Sequence, residues 1–313
     1  MIGLLIGVDA GGSRTRVAVA DAAGEIIATA EREGAAVKPG EIERSASIIA
    51  AAVRDALSAL DPTLGEPLAL CAGVAGAGRE SERRSLAEAL RAESLADDVL
   101  VLTDAEIALY DAFGDEAGIV LIAGTGSIAY GRGPSGALEK VGGWGPAIGD
   151  EGGGLWIARR ALSIVTAATD GREPATSLVG AILTAAELDE VEGLIRWAAV
   201  ATTPQIASLA AVVVASAEAG DLRANALLGL AAEELVLHVR TLARTLFVDE
   251  RAAVQVALGG GLLEPGSALR KRVEHRLKSA VPGSKVHAPP IVAVRGAIRR
   301  ALQLGNVAEE RAS

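Results

Sequence analysis

The sequence predicts a mixed α/β protein built from two related halves. An apolar strand, a turn rich in Gly, Ser and Thr, and a second strand follow one another at residues 6–20, and the same order recurs at residues 120–131. Patterns typical of helices and strands alternate after the first repeat and recur after the second, which favours an α/β architecture. Because the repeated unit is half a protein long, we interpret it as an internal duplication and not as a solenoid.

A chain of 313 residues can hold two domains of ordinary size, each with its own core. We place these domains at residues 1–115 and 116–313, with helical insertions in the second. No Pro-rich or Gly/Ser-rich linker separates the halves, so we expect a hinge near residues 113–118.

The first half is predicted to contain three strands followed by alternating helices and strands. Apolar residues recur at helical spacing from Ile42 to Leu60 and predict a helix over residues 40–60. The elements predicted after it are a buried strand, a charged amphipathic helix, a strand and a short helix, at residues 68–72, 80–93, 99–102 and 105–112.

The second half repeats the hairpins and then becomes mostly helical. The predicted helices lie at residues 155–168, 188–199, 206–217, 222–247, 267–278 and about 291–304, with a strand at residues 253–258. The last helix either crosses back to the first domain or contributes to a dimer contact, and the sequence leaves both open.

Composition excludes several kinds of partner. A net charge of −10 and the lack of a basic tract argue against nucleic acid. The single cysteine, Cys71, excludes an intrachain disulfide and a cysteine-built metal site. The histidines His238, His275 and His287 share no ligand spacing and lie far along the chain from the glycine turns, so we expect them to be solvated or structural.

We expect a cytoplasmic protein with no membrane partner. Residues 1–6 lack the basic region of a signal peptide and reach Asp9 too soon. Residues 206–217 are nearly apolar, but this run is too short for a membrane span.

The first glycine turn is a candidate phosphate site. Gly11, Gly12, Ser13 and Thr15 expose backbone N–H groups and hydroxyls, which phosphate oxygens need. Asp9 closes the preceding strand, where a carboxylate beside phosphates requires a cation, so we expect it to hold Mg²⁺ through water. The alternative is that Asp9 merely starts a β-turn.

Two further glycine turns follow strands in the second half. The later one stands between a strand and a helix, where bare backbone lets a flat purine or a ribose approach closely. Either turn alone is an ordinary connection between two elements, but three such turns in this order indicate a nucleotide site more specifically than any one of them. The candidate nucleotide contacts here are Gly124, Thr125, Gly126, Gly259, Gly260 and Gly261.

These motifs resemble those of the actin-like ATPase superfamily, which includes sugar kinases, actin and Hsp70. Residues 141–154, Thr103-Asp104-Ala105 and residues 124–131 are similar to the N-acetylglucosamine kinase branch, also named for the BadF/BadG ATPases. The resemblance covers essentially the whole chain. It implies two ribonuclease H-like domains with ATP and a sugar in the cleft between them.

By this resemblance Asp104 is the catalytic carboxylate. Its place after a predicted parallel strand agrees, since α/β sheets bind ligands at the carboxyl ends of their strands. An Asp there can accept the proton of a sugar hydroxyl as it attacks the γ-phosphoryl group. The alternative is that Asp104 caps the helix that follows, and the two roles are compatible.

The resemblance also implies the sugar contacts. Asp150 matches a sugar-binding carboxylate, and Trp144 could present its ring face to a sugar. Gly143, Gly145 and Ser127 complete the expected substrate contacts. Glu151 is left open, because it either touches substrate or occupies the first turn of the next helix.

One residue departs from the family pattern. Relatives commonly carry an Asn that helps to hold the sugar in the turn after the third strand, whereas this chain has Val37 in the corresponding stretch. An apolar side chain cannot make that hydrogen bond, which leaves glucosamine, N-acetylmuramic acid or a modified amino sugar as alternatives to N-acetylglucosamine.

The sequence therefore predicts an ATP- and Mg²⁺-dependent kinase acting on the 6-hydroxyl of N-acetylglucosamine or a related N-acetylhexosamine, as a homodimer. An activator of 2-hydroxyacyl-CoA dehydratase is disfavoured, because Cys71 cannot supply four cluster ligands even from a dimer. A sugar sensor that has lost the chemistry is the other alternative, against which stand Asp9, Asp104 and Asp150 together.

Overall fold

The computed structural model describes residues 3–247 and 253–312 and divides the chain into two compact units. The first unit contains the residues up to 116 together with those from 291 onward, and the second contains residues 117–290. The chain passes from the first unit to the second between residues 116 and 117. The chain after residue 290 belongs to the first unit and not to the second.

The first unit is built on a five-stranded sheet in the order β3-β2-β1-β4-β5. The strands β1, β2 and β3 form antiparallel hairpins, and β4 and β5 run parallel to β1. Before the chain enters the second unit, the elements are β1 (Leu4–Ala10), β2 (Arg14–Ala20), β3 (Ile26–Glu33), α1 (Ile42–Ser58), β4 (Pro67–Val74), α2 (Glu80–Ala92), β5 (Asp98–Leu102) and α3 (Asp104–Phe113).

The second unit repeats this topology with the sheet order β10-β9-β6-β7-β8. Strands β6, β7 and β8 are again antiparallel hairpins, and β9 runs parallel to β6. Its elements are β6 (Gly118–Ala123), β7 (Ser127–Arg132), β8 (Leu138–Gly142), α4 (Gly154–Thr169), α5 (Leu178–Ala185), α6 (Gly193–Val200), α7 (Thr203–Glu218), α8 (Leu222–Leu246), β9 (Gln255–Gly259), α9 (Ala268–Ala280) and β10 (Lys285–Val286).

The last helix, α10 (Ala293–Ala312), packs on the first unit. A side chain at Gly7 of β1 would lie 2.7 Å from the carbonyl oxygen of Val294, so the helix rests directly on that strand. Gly296 allows a still closer approach to α3, where a side chain would collide with the carbonyl oxygen of Ile107. Of the two placements that the sequence left open, the structure contains the first.

Each unit has its own hydrophobic core. In the first unit, α1 and α2 cover one face of the sheet, and α3 and α10 cover the other. Cys71 is completely buried in this second layer, where it serves as a small apolar side chain. In the second unit, a single aliphatic core joins the sheet to α4, α7, α8 and α9.

The helical region of the second unit differs in detail from the prediction. The helix predicted at residues 188–199 is shorter, because α6 begins at Gly193. The sequence analysis missed α5 and the two-residue strand β10. Among the described helices, none alone is long and apolar enough to cross a membrane, although α7 and α8, bent by 119°, meet the length and composition requirements as a pair.

Candidate functional site

Two carboxylates stand near each other at one edge of the first sheet. Asp9 lies in β1 and is paired in register with Gly73 of β4, while Asp104 directly follows β5. Because β1, β4 and β5 are parallel, their carboxyl ends meet at this edge, which is where α/β sheets bind ligands.

Burial and the charge of Asp9 raise the pKa of Asp104 to about 6. The pKa of Asp9 is also raised by burial, an effect that Arg16 and Arg14 oppose. Both arginines form ion pairs with Glu31 at distances of 3.4 and 3.9 Å, respectively. A carboxyl whose pKa lies near the operating pH is suited to exchange a proton with a substrate.

Thr103, and not Asp104, caps helix α3. The Thr103 hydroxyl accepts a hydrogen bond from the backbone N–H of Glu106 at 3.2 Å, and the Glu106 carboxylate accepts one from the backbone N–H of Thr103 at 2.7 Å. This reciprocal capping box provides acceptors for backbone N–H groups at the start of the helix. The alternative role of Asp104 as the cap is therefore wrong, and its carboxylate accepts only the nearest backbone N–H groups at the helix start.

The turn between β1 and β2 exposes bare backbone. Gly12 and Ser13 are exposed, and no described hydrogen bond uses their backbone N–H groups. The Gly11 N–H closes the turn by donating to the carbonyl oxygen of Arg14 at 2.8 Å. Thr15 differs from the expectation, because its buried hydroxyl donates to the carbonyl oxygen of Glu33 at 2.8 Å and holds β2 to β3.

In the second unit, two glycine turns lie side by side at the carboxyl edge of the sheet. Ile122 of β6 is paired with Gly259 of β9, so the turns that follow these strands are neighbours. Gly260 has a φ of 87° and would collide with the carbonyl oxygen of Ala123 if it carried a side chain. Only glycine fits such a left-handed, crowded position. Gly261 has open space around it.

The Gly124–Gly126 turn is seated on the start of α4. Gly154 N–H donates to the carbonyl oxygen of Gly124 at 2.8 Å, and Leu155 N–H donates to that of Thr125 at 2.9 Å. The first N–H groups of a helix need acceptors from outside the helix, and this turn supplies them. The turn is thereby fixed against the loop that contains Asp150.

Asp150 lies over this turn in a strained backbone conformation. Its φ is 62°, and its carboxylate fills the space that a side chain at Gly126 would need. The backbone N–H of Gly145 donates to it at 3.1 Å. Burial is the main cause that raises the pKa of Asp150, with a smaller contribution from the charge of Glu151.

The other residues expected to contact the sugar differ in how exposed and how closely packed they are. Trp144 is 68% exposed, and the Lys140 ammonium lies 5.5 Å from its ring centre. Gly145 has open space around it, whereas Gly143 packs closely on Ile128. Ser127 differs from the expectation, because its buried hydroxyl donates to the carbonyl oxygen of Glu151 at 2.6 Å and holds the loop in place.

His238 is a buried, structural histidine, one of the two expectations for it, and it packs beside the Asp150 loop. It lies in α8, far along the chain from the glycine turns, but its buried ring packs against Gly142 and its Nε2 is 3.8 Å from the Glu151 carboxylate. Burial lowers its pKa, so the ring is neutral at pH 7. No local sequence signal marks this residue, because its neighbours are distant in the chain.

Val37 belongs to the core of the first unit. Its side chain is 7% exposed, and its backbone N–H donates to the carbonyl oxygen of Ala75 at 2.8 Å. The apolar residue at this point is therefore explained by packing, and it offers no hydrogen bond to a ligand.

The chain contains two sheets of the same topology, each with antiparallel hairpins followed by parallel strands. This arrangement defines an actin-like ATPase, as the fold prediction stated. Residues 6–302 match the model of the BadF/BadG/BcrA/BcrD ATPase family, and the chain belongs to that family.

The relatives include known sugar kinases. An N-acetylmuramic acid/N-acetylglucosamine kinase from Clostridium acetobutylicum is 32% identical over 82% of this chain and 84% of its own length. An N-acetyl-D-glucosamine kinase from Dictyostelium discoideum is 27% identical over 90% of this chain and 92% of its own. A solved structure from Chromobacterium violaceum, assigned as an N-acetylglucosamine kinase, matches with a TM-score of 0.78 at 30% identity, covering 96% of this chain and 99% of its own.

Proposed function

We propose that this protein transfers the γ-phosphoryl group of ATP to the 6-hydroxyl of an N-acetylhexosamine, with N-acetylglucosamine as the first candidate. Its relatives act on amino sugars, and the chain is an ATP-dependent amino-sugar kinase of the same kind. The observation that carries the proposal is the half-buried Asp104 carboxyl at the strand edge, with a pKa of about 6 and the helix cap supplied by another residue.

Asp104 is the general base in this proposal. Its carboxylate accepts the proton of the sugar hydroxyl while that oxygen forms a bond to the γ-phosphorus. The bond from the γ-phosphorus to the oxygen shared with the β-phosphate breaks, and ADP leaves with that electron pair. Near pH 7 a base with this pKa is mostly ionised and ready to accept the proton.

The exposed backbone of Gly12 and Ser13 would contact phosphate oxygens, with the Gly11 N–H closing the turn behind them, and the backbone of the Gly124–Gly126 turn would contact phosphate oxygens as well. The Gly259–Gly261 turn would approach the adenosine. These contacts need unobstructed N–H groups, which the Gly12 and Ser13 turn offers. Thr15 is not included, because its hydroxyl is already bonded within the sheet.

The donors present fit a hydrated Mg²⁺ near Asp9. No described donor forms a hydrogen bond with the Asp9 carboxylate, and burial makes its ionised form costly without a cation. Among the described residues, no group of three or more His, Cys, Asp or Glu could hold a metal ion unaided, so Asp9 would act together with water and phosphate oxygens. The ion, when bound, neutralises charge that develops on the phosphates.

The sugar would contact the loop around Asp150. The Asp150 carboxylate is held over Gly126 by the loop and can accept hydrogen bonds from a sugar hydroxyl or amide. Trp144 offers an exposed ring face, Gly145 has open space around it, and Gly143 would contact the sugar through its backbone. Ser127 would act indirectly, through the carbonyl oxygen of Glu151.

We further propose that the protein acts in the cytoplasm, where ATP is available, and forms a homodimer. A dimer contact could cover the apolar side chains of Ile195 and Val200, which are 76% and 82% exposed on α6. Light scattering on the purified protein tests the oligomeric state.

The experiment measures ADP release with Mg²⁺-ATP and one sugar at a time: glucosamine, N-acetylglucosamine, N-acetylmannosamine, N-acetylmuramic acid, glucose or none. Release confined to one or two amino sugars supports the proposal.

Asp104→Asn should lower turnover by about 100-fold or more while ATP still binds. Asp98→Asn, at the other end of β5, is the matched control and should keep normal turnover. Near-normal turnover of Asp104→Asn would remove it from the mechanism.

A further inference from the structure

Arg83 of α2 lies against the start of α3. The parallel strands β4 and β5 are neighbours, with Gly73 paired to Leu102, and α2 and α3 begin after their carboxyl ends. The Arg83 Nη1 is 3.5 Å from the Glu106 Oε1, and these side chains are 27% and 12% exposed. Salt screens such a partly buried pair less than an exposed one. The pair therefore joins the two helices at the edge of the sheet where Asp104 stands.

The arginines next to Arg83 have a different kind of partner. Arg79, the residue before α2, pairs with Glu82 at 2.8 Å, and Arg84 pairs with Glu80 at 3.7 Å. Both pairs join residues three or four positions apart, as is common on the surface of a helix. Arg83 instead reaches a carboxylate 23 residues away in another helix, which is the only hydrogen-bond partner of its side chain in the described parts of the chain.

The Glu106 carboxylate is divided between two partners. Its Oε2 accepts hydrogen bonds from the backbone N–H and the hydroxyl of Thr103, at 2.7 and 2.9 Å, while its Oε1 faces Arg83. Thr103 directly precedes Asp104, whose Oδ1 accepts a hydrogen bond from the backbone N–H of Ala105 at 3.0 Å. The direction of the Asp104 carboxylate thus depends on the helix start, and the helix start depends on Glu106.

We propose that Arg83 is a positioning residue for phosphoryl transfer, which holds Glu106 and, through the Thr103 cap, fixes the direction of the Asp104 carboxylate. The inference rests on the proposed role of Asp104 as the general base and deepens it. A base must stand within hydrogen-bond distance of the hydroxyl that it deprotonates. A small rotation of the helix start should therefore lower the rate of the chemical step more than it weakens sugar binding.

The charges around Asp104 give this arrangement a second consequence. Burial is the main cause that raises the pKa of Asp104, the charge of Asp9 on β1 adds to it, and the charge of Glu106 on α3 contributes less. Backbone N–H groups at the helix start oppose these effects. The Arg83 guanidinium on α2 faces Glu106 and offsets its charge. Removing Arg83 should therefore raise the pKa of Asp104, and removing the charge of Glu106 should lower it.

The test measures steady-state kinetics of Arg83→Gln, Glu106→Gln and the double variant with the sugar that the protein phosphorylates. Glu106→Gln keeps an acceptor for the Thr103 N–H, because capping boxes use Gln as well as Glu, and it removes the charge that Arg83 holds. At about pH 8, where Asp104 is ionised, each single variant should lower kcat about three- to tenfold, with the sugar KM unchanged within about twofold. The double variant should be no slower than the slower single variant, because Arg83 acts through Glu106.

The pH profile separates this role from a loss of packing. The acid limb of kcat/KM should move to higher pH in Arg83→Gln and to lower pH in Glu106→Gln, whereas a loss of packing would not shift it in opposite directions. Arg83→Lys keeps the charge and should keep part of kcat. Arg84→Gln, on the same helix but paired with Glu80, is the matched control and should keep both kcat and the acid limb.

A normal kcat and an unshifted acid limb in Arg83→Gln would overturn the inference. So would an effect of Arg83→Gln that persists in full in the Glu106→Gln background. If Asp104→Asn abolishes turnover while Arg83→Gln has no effect, this inference fails and the kinase proposal stands.

The titration of Asp104 can also be followed without turnover, by carboxyl-carbon NMR of protein containing isotope-labelled aspartate, with Asp104→Asn to assign the signal. Opposite shifts of this titration in Arg83→Gln and Glu106→Gln, in a protein that phosphorylates no sugar, would support the arrangement around Asp104 and refute the kinase proposal. An Asp104 titration that neither variant moves would count against the arrangement itself.

Discussion

Asp104 shows how one side chain depends on its immediate surroundings. Sequence reasoning offered it two roles, and the capping box of Thr103 and Glu106 excludes one of them. The pattern Thr-x-x-Glu before an apolar run is itself a recognisable helix start, so the sequence contained this answer. Thr15 and Ser127 are different, because their hydroxyls bind carbonyl oxygens 18 and 24 residues away, and no local pattern reveals such partners.

The pKa of Asp104 predicts the acid limb of the pH profile. Burial and Asp9 raise this pKa to about 6, above the ordinary value of about 3.9 for Asp. Because the base acts in its ionised form, kcat/KM for the sugar should fall about tenfold per pH unit below pH 6 and level off above it. Steady-state kinetics across this range provide the measurement. A profile that stays flat down to about pH 5 would contradict the assignment.

Gly126 leaves room for the Asp150 carboxylate, so Gly126→Ala should displace that carboxylate. We expect the KM for the sugar to rise by about tenfold, because one charged acceptor would be moved out of position. Gly180→Ala in α5 is a suitable control, since a side chain there meets no atom within 4 Å. A normal sugar KM in Gly126→Ala would show that Asp150 does not hold the sugar.

At the scale of elements, the Asp150 loop packs against helix α8. A side chain at Gly152 would lie 2.6 Å from Leu235 and 2.8 Å from the carbonyl oxygen of Ala231, and His238 on the same helix packs on Gly142. These residues recur at helical spacing, but their periodicity indicates only a buried helix face. That this face supports a loop 79 or more residues earlier in the chain is a fact of tertiary structure.

His238 should act as a positioning residue for this loop. His238→Phe replaces the polar ring beside the Glu151 carboxylate with an apolar one. We expect the sugar KM to rise about three- to tenfold, with kcat nearly unchanged. His238→Gln should restore part of the loss. The exposed His275 on α9 provides the control His275→Gln. If His238→Phe lowered kcat and left KM unchanged, the positioning role would be refuted.

Helix boundaries were predictable where amphipathic periodicity was strong. The long helix α8 was expected over residues 222–247 and extends over Leu222–Leu246. The shorter helices were predicted less well, because residues 178–200 form two pieces of eight residues separated by a turn. Periodicity over so few residues does not distinguish one broken helix from two.

At the scale of the whole molecule, the chain leaves the first unit at residue 116 and returns to it at residue 291. Asp111 in α3 fixes the returning segment. Its buried carboxylate accepts hydrogen bonds from the backbone N–H of Val292 at 2.6 Å and from Arg295 at 2.5 and 3.0 Å. Partners separated by more than 180 residues are thus joined beside the helix that begins with Asp104.

Asp111→Ala should lower the free energy of unfolding by about 1.5–3 kcal/mol, because it removes the buried carboxylate that accepts hydrogen bonds from the Val292 N–H and the Arg295 guanidinium. Asp97→Ala, which alters an exposed Asp with no described side-chain hydrogen bond, should change it by less than about 0.5 kcal/mol. Urea unfolding followed by circular dichroism measures both. A loss for Asp111→Ala no larger than for the control would show that this contact does not anchor α10.

The sequence by itself determined the α/β class, the duplicated halves, the glycine turns and the acidic residues at the strand ends. These features are local, since strand alternation, turn composition and the residue after a strand can be recognised within a few positions. The tertiary structure alone decided that Thr15 and Ser127 are internal, that His238 packs against the Asp150 loop, and that α10 joins the first unit. Each depends on contacts between residues that are distant in the chain or on the direction in which a helix face is turned, and no local pattern encodes either.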